Sequence, residues 1–157
     1  DRGRVLQMGP RDAVLNQPTS VRAAELVNVR NILPGRVIQR EGDGLAVQTG
    51  IGRLIAAEGV AEPGAAVHLA IRAERILLER RDRPPGRQGN RLRVRIVNEE
   101  AYGPSYTLYL RVDHAPQDQP HHLELDIPAH PYGVMGVTRH RHWNITIPPE
   151  AVHVIVG

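Results

Sequence analysis

Eight histidines and several paired acidic residues are the obvious places to look for chemistry in this 157-residue chain. His121 and His122 are adjacent, and on a strand they would point to opposite faces. His140 and His142 lie two apart and would share a face, flanked by Arg139 and Arg141. A metal site would need further donors converging on the imidazoles. No acidic residue stands at such a spacing, and the arginines oppose a cation, so solvated loop histidines and no metal are expected. The same His–Arg cluster could instead attract an anion or an acidic partner surface. Glu74 and Glu150 follow similar turns, "RAERI" and "PPEAV". Two carboxylates can divide acid and base roles, but here repetition of a turn accounts for them, each capping its turn or pairing with Arg72 or another nearby arginine. No Ser-His-Asp, Cys-His or glycosidase-like arrangement is present, so the chain is expected to carry no catalytic residue.

Composition narrows the classes further. Hydrophobic residues make up 41%, but with no Phe, one Trp and four Tyr the core must be built from Val, Ile, Leu and Ala. Fifteen Gly and thirteen Pro favour short elements joined by turns. The absence of Cys excludes disulfides and thiolate metal sites. No apolar run approaches the ~20 residues of a membrane-spanning helix. All twenty basic residues are Arg, yet the net charge is only +3. The densest cluster, Arg80, Arg81, Arg83 and Arg87, lies among Pro and Gly without interleaved aromatics. That pattern reads as a solvated linker, and no nucleic-acid partner is expected.

Residues 1–27 read as α/β material: a short strand in "GRVLQMG", a helix between Pro10 and Pro18, and a second helix capped by Thr19 or Ser20. This segment is too short to bury itself and looks like the tail of another domain. From Asn28 onward the signal is all-β. Val67, Leu69 and Ile71 alternate with other residues, as do Leu92, Val94 and Ile96, Leu108, Leu110 and Val112, Leu123, Leu125 and Ile127, and Trp143, Ile145 and Ile147. Strict period two predicts strands buried on one face, and "EGDGL" at 41–45 predicts a hairpin. The halves repeat: each opens on an Asn (Asn31, Asn90) before an alternating strand, and each closes on a strand, a Glu-bearing turn and a last apolar strand. The expected architecture is tandem OB-like five-stranded barrels, residues 28–81 and 91–157, joined by a linker at 82–90. Each lobe is small for independent stability, so the two should share a core or pack on a partner.

These residues resemble the ATP-binding subunits of bacterial and archaeal ABC importers over almost the whole chain. "GRVLQMGP" followed by "AELVNVRNILPGRV" is similar to the end of the nucleotide-binding domain running into the transport-associated OB regulatory domain. "IRAERI" resembles the recurring I-R-P-E-x-I motif, with Ala73 at the Pro position, and "IPPEAVHVI" its second copy. The resemblance implies a regulatory and dimerisation domain, cytoplasmic at the inner face of the membrane. Its implied partners are a second copy of itself and, in the full protein, the permease subunits. ATP and Mg would belong to the parent protein. This chain contains no G-x-x-x-x-G-K-[ST] phosphate loop, so no cofactor and no ATPase activity are expected of it. A free-standing molybdate- or tungstate-binding protein is the alternative.

The binding segment implied by the resemblance is Asn28, Val29, Arg30 and Asn31, similar to the T-S-A-R-N loop with which molybdate-binding barrels hold a tetrahedral oxyanion. Successive backbone N–H groups can form an anion nest, and an arginine supplies a charged fork. Asn28 stands where that loop has Ser, and no Lys is available. The other reading is a structural turn into the first strand.

Overall fold

The rows of alternating residues are strands with their apolar members turned inward. The computed structural model describes residues 2–5, 7–9, 11, 18–82 and 89–157. Its strands are β1 (Asn31–Glu41), β2 (Gly44–Thr49), β3 (Gly52–Ala56), β4 (Ala66–Ile71), β5 (Leu77–Leu78), β6 (Asn90–Tyr102), β7 (Ser105–Val112), β8 (Leu123–Pro128), β9 (His142–Ile147) and β10 (Val152–Val156). Two short helices accompany them, α1 (Val21–Leu26) and α2 (Ala129–Val134), with 3-10 turns at Ala73–Arg75, Val137–Arg139 and Pro149–Ala151. The fold is all-β and OB-like, in two five-stranded sheets.

The sheets exchange their last strands. The first has the order β10-β4-β1-β2-β3 and the second β5-β9-β6-β7-β8. The strand that closes the first half, β5, therefore pairs Leu77 with Thr146 and Leu78 with Ile145 in the second sheet. The strand that closes the second half, β10, pairs Val152 with Ile71 and Val154 with Leu69 in the first. The sequence repeat is thus a repeat of hairpins with reciprocal closing strands, and neither half completes its own sheet. One continuous apolar core follows, containing Leu54, Leu69 and Ile71 from the first sheet and Leu108, Leu110, Trp143 and Ile145 from the second. Of the two expectations for small lobes, the chain satisfies the shared core.

The halves repeat to the level of irregularities. β1 and β2 slip register between Val37 and Gln39, and β6 and β7 slip between Ile96 and Asn98. Both bulges begin six residues after the opening Asn, at Asn31 and Asn90. The predicted hairpin at 41–45 is present: Glu41 faces Gly44 across Gly42 and Asp43. Gly42 has φ 60°, as the first position of a primed two-residue turn requires. Gly44 is required for close approach, because a Cβ there would lie 1.9 Å from the Ala56 carbonyl oxygen.

The N-terminal expectations are met in part. α1 is capped by Ser20, whose side chain accepts from the Ala23 N–H. The strand expected in "GRVLQMG" is not formed among its described residues, 3–5 and 7–9. No described strand of the chain lies alongside to supply ladder hydrogen bonds. The helix expected between Pro10 and Pro18 lies outside the described residues, apart from Arg11. Most of the 82–90 linker, residues 83–88, lies outside them too, with Arg83 and Arg87, and β6 already begins at Asn90.

Candidate functional site

The segment 28–31 is built as the end of α1 and the start of β1. The Asn28 N–H donates to the Glu25 carbonyl at 3.0 Å, and the Val29 N–H to the Ala24 carbonyl at 2.9 Å. Asn28 has φ 61°. This pair of bonds around a left-handed residue is the Schellman helix stop. Val29, at the position after the left-handed residue, packs with Ala24 in a small cluster with Ala70 and Ile155, as that motif favours. Two of the N–H groups that a nest would offer are therefore already bonded to the helix.

The side chains on either side of Val29 diverge from it. Arg30 donates to Oδ2 of Asp126 on β8 and stands 3.8 Å from the Glu124 carboxylate. Thr107 donates to the other Asp126 oxygen at 2.8 Å, completing the network. Asn31 is buried and its amide is bonded both ways to the Glu124 backbone, at 2.8 and 2.7 Å. The four residues expected to form the site are thus brought together in sequence but not in orientation, and Arg30 faces two carboxylates.

Val29 itself lines a cleft of about 410 Å³ beside the strand exchange. Its other polar walls are Arg72, Arg75, His153, Glu58 and Glu150. Arg72 precedes the 3-10 turn Ala73–Arg75 and reaches back to α1, where its Nη1 donates to the Val27 carbonyl at 3.4 Å. Glu74 stands 3.9 Å from the same nitrogen, so of the two roles expected for this carboxylate it takes the pairing with Arg72, and no side-chain hydrogen bond caps the turn at Arg72. Arg75 closes the turn and is exposed. His153, on β10 opposite Ala70, donates from Nε2 to the Pro18 carbonyl at 2.6 Å. The opposite lip is the equivalent turn Pro149–Ala151, whose Pro149 carbonyl accepts from the Ala57 N–H at 2.9 Å.

The cleft thus sets two guanidiniums and an imidazole against two carboxylates, on backbone fixed by both 3-10 turns. Such an arrangement can hold a small oxyanion by charge-assisted hydrogen bonds. The sequence reading missed Arg72 and Arg75 as site residues. The signal was there, since both lie within the motif "IRAERI" that closes the first half; the β1–β4 pairing sets Ile71 opposite Asn31 and so brings the motif beside Val29, while β10 adds His153 and the Pro149–Ala151 turn.

The histidines fall elsewhere. His121 and His122 precede β8 rather than lying within it. His121 stacks edge-on to Tyr109, with ring centroids 4.9 Å apart. His122 accepts the Val112 N–H at Nδ1 and contacts the Pro116 carbonyl through Nε2, which fixes the Nε2–H tautomer. His140 and His142 are separated in role: Trp143 donates to the His140 carbonyl, and His142 starts β9. Arg141 pairs with Glu99 at 2.9 Å. Among the described residues no three His, Asp or Glu converge as metal ligands. Two groups with displaced ionisation lie outside the cleft. Burial, with Glu99 beside it, pushes Tyr132 up to about 12. Tyr109 is raised by burial and then by Glu100, with Arg30 acting in the opposite direction.

No family model matches the chain, and no curated protein matches its sequence. Among solved structures it is similar to the cytoplasmic molybdate-binding protein ModG in a crystal form with molybdate bound. The TM-score is 0.67 at 18% identity, covering 83% of this chain and 98% of that one. At that identity the likeness establishes a shared fold.

Proposed function

We propose that this chain is a regulatory oxyanion-binding domain, and that its ligand sits in the cleft at Val29 with Arg72 and Arg75 as the principal charges. The observation that carries this reading is the convergence of the 28–31 turn and the "IRAERI" turn on one concave, polar surface. Molybdate and tungstate are the favoured ligands, since the similar fold belongs to a molybdate-binding protein. Glu58 and Glu150 share the cleft, so binding depends on directed donors rather than on a strong positive field. The role is recognition, with no bond made or broken.

The larger setting follows the resemblance described above. The domain serves an importer's ATP-binding subunit, associates with a second copy, and reports cytoplasmic oxyanion to the transporter. A second reading, a free-standing binding protein, is favoured by one specific observation: the match spans 98% of the chain of ModG, a cytoplasmic molybdate-binding protein.

Calorimetric titration of molybdate, tungstate and sulfate into the wild-type chain tests the reading. Saturable binding is expected, weakened about 10- to 150-fold in Arg72→Ala, the equivalent of losing one charge-assisted hydrogen bond of roughly 1.5–3 kcal/mol. No heat and no thermal shift at millimolar anion would overturn it.

A further inference from the structure

The two sheets are related by their repeat, but their outer faces differ. Ile32 and Ala70 on the first sheet are covered by the α1 segment through Ala24 and Val29. By the spacing from Asn31 and Asn90, Ile32, Pro34 and Arg36 on β1 correspond to Arg91, Arg93 and Arg95 on β6. Arg91, Arg93 and Arg95 are all exposed on the second sheet. Arg91 is neutralised by Glu79 at 2.9 Å. Arg95 is not, and its register places it directly opposite Arg111 on β7 and directly opposite His142 on β9.

Like charges directly opposite one another in a sheet are destabilising, and here Arg95 and Arg111 are such a pair, with the His142 imidazole extending the row to a third strand. The scaffold does not demand that row. Its counterpart in the first sheet is Gln48, Arg36 and Ala66, with a single cation. Among the described residues neither Arg95 nor Arg111 makes an ion pair, and the side chain of Arg95 makes no hydrogen bond. Asp113 lies on the wall of the same cleft.

The row floors a cleft of about 320 Å³. Its side wall, residues 113–117, is held in place from several directions. Arg111 Nη2 donates to the carbonyls of Gln117 and Gln119 at 3.1 and 2.9 Å. His122 fastens both Val112 and Pro116. His114, in the same wall, is held at φ 67°. A pre-positioned guanidinium beside an unpartnered one and an imidazole is a donor set suited to a small dianion.

We propose that Arg95, Arg111 and His142 form a second anion site, separate from the cleft at Arg72, that takes a phosphate-type tetrahedral dianion. The bound anion offsets the repulsion that Arg95 and Arg111 would otherwise impose between β6 and β7. The site does not depend on the oxyanion reading of the first cleft, because it shares no residue with it.

Thermal unfolding with and without inorganic phosphate, at constant ionic strength, tests the proposal in the wild type, Arg95→Gln and Arg72→Ala. Phosphate should raise the wild-type Tm in a saturable manner, and Arg72→Ala should retain that response. Arg95→Gln, which removes one member of the row without breaking an intrachain bond, should melt at or above the wild-type temperature without phosphate. It should lose the phosphate response, with Kd raised at least tenfold. Sulfate and molybdate run alongside show whether the tetrahedral shape or phosphate itself is recognised. A rise that does not saturate with phosphate, no rise at all, or a response intact in Arg95→Gln, would overturn the site.

Discussion

Asn31 and Asn90 make the same clasp in opposite directions between the two sheets. The Asn31 amide donates to and accepts from the backbone of Glu124 on β8 of the second sheet. The Asn90 amide does the same with Ile55 on β3 of the first, at 2.9 and 2.7 Å. Each side chain is buried and satisfies one N–H and one carbonyl at the partner sheet's edge. Buried backbone groups left without partners each cost about 1–3 kcal/mol. Asn31→Ala and Asn90→Ala should therefore each lower unfolding free energy by roughly 2–4 kcal/mol in urea. A loss under about 0.5 kcal/mol, the range of ordinary surface substitutions, would show that water replaces the clasp.

The exchanged strands predict a single unfolding transition. Trp143 is the only tryptophan and lies buried in the second sheet, whereas Leu69 is fully buried in the first. Leu69→Ala should cost about 2–5 kcal/mol and shift the Trp143 fluorescence midpoint by the full amount, in step with far-UV circular dichroism. Two separated transitions, or a Trp143 midpoint indifferent to Leu69, would mean that the halves fold independently.

Arg30 separates structural from binding roles. Its partners Asp126 and Glu124 are each mostly buried, so Arg30→Ala should destabilise the chain by about 1–3 kcal/mol. Oxyanion affinity should stay within about twofold of wild type if the ligand lies at Arg72 and Arg75. Calorimetry on the folded variant distinguishes the two effects, and a large loss of affinity would return the site to Arg30.

Tyr132 predicts an alkaline limb of the stability profile. Its ring stacks on Tyr106 at 3.8 Å, and its hydroxyl donates to Glu99 at 2.5 Å. Because the folded state holds this proton up to about 12, against an ordinary 10.0, the unfolded chain releases it first as pH rises. The contribution is complete below pH ~10 and is lost progressively towards pH ~12. Urea midpoints across that range should fall in the wild type, and Tyr132→Phe should flatten that component. An equal slope in both would assign the alkaline loss to other groups.

Much of this was legible in the sequence because strands advertise themselves by period two. The rows through Leu69, Leu108, Leu125 and Ile145 are all strands with buried faces. The opening asparagines marked the repeat, although nothing in their local sequence said that each would reach across to the other sheet. The strand exchange was not legible, since β5 and β10 are apolar segments that either sheet could accept. The Arg72–Arg75 cleft stayed hidden in part for the same reason: β1 and β4 bring two of its segments together, but the third arrives with β10. The basic row on the second sheet was also obscured. Alternation marks Arg93 and Arg95 as outward facing, but only the register shows Arg95 opposite Arg111 and His142.

The most direct test of the proposed function is to locate the anion. Crystals grown with tungstate, or soaked in it, would report the heavy anion by its anomalous scattering. The account predicts a peak in the cleft within hydrogen-bonding reach of Arg72 or Arg75, beside Val29, that disappears in Arg72→Ala crystals. A map without density in that cleft at saturating tungstate, or with the anion seated against Arg30 instead, would contradict it.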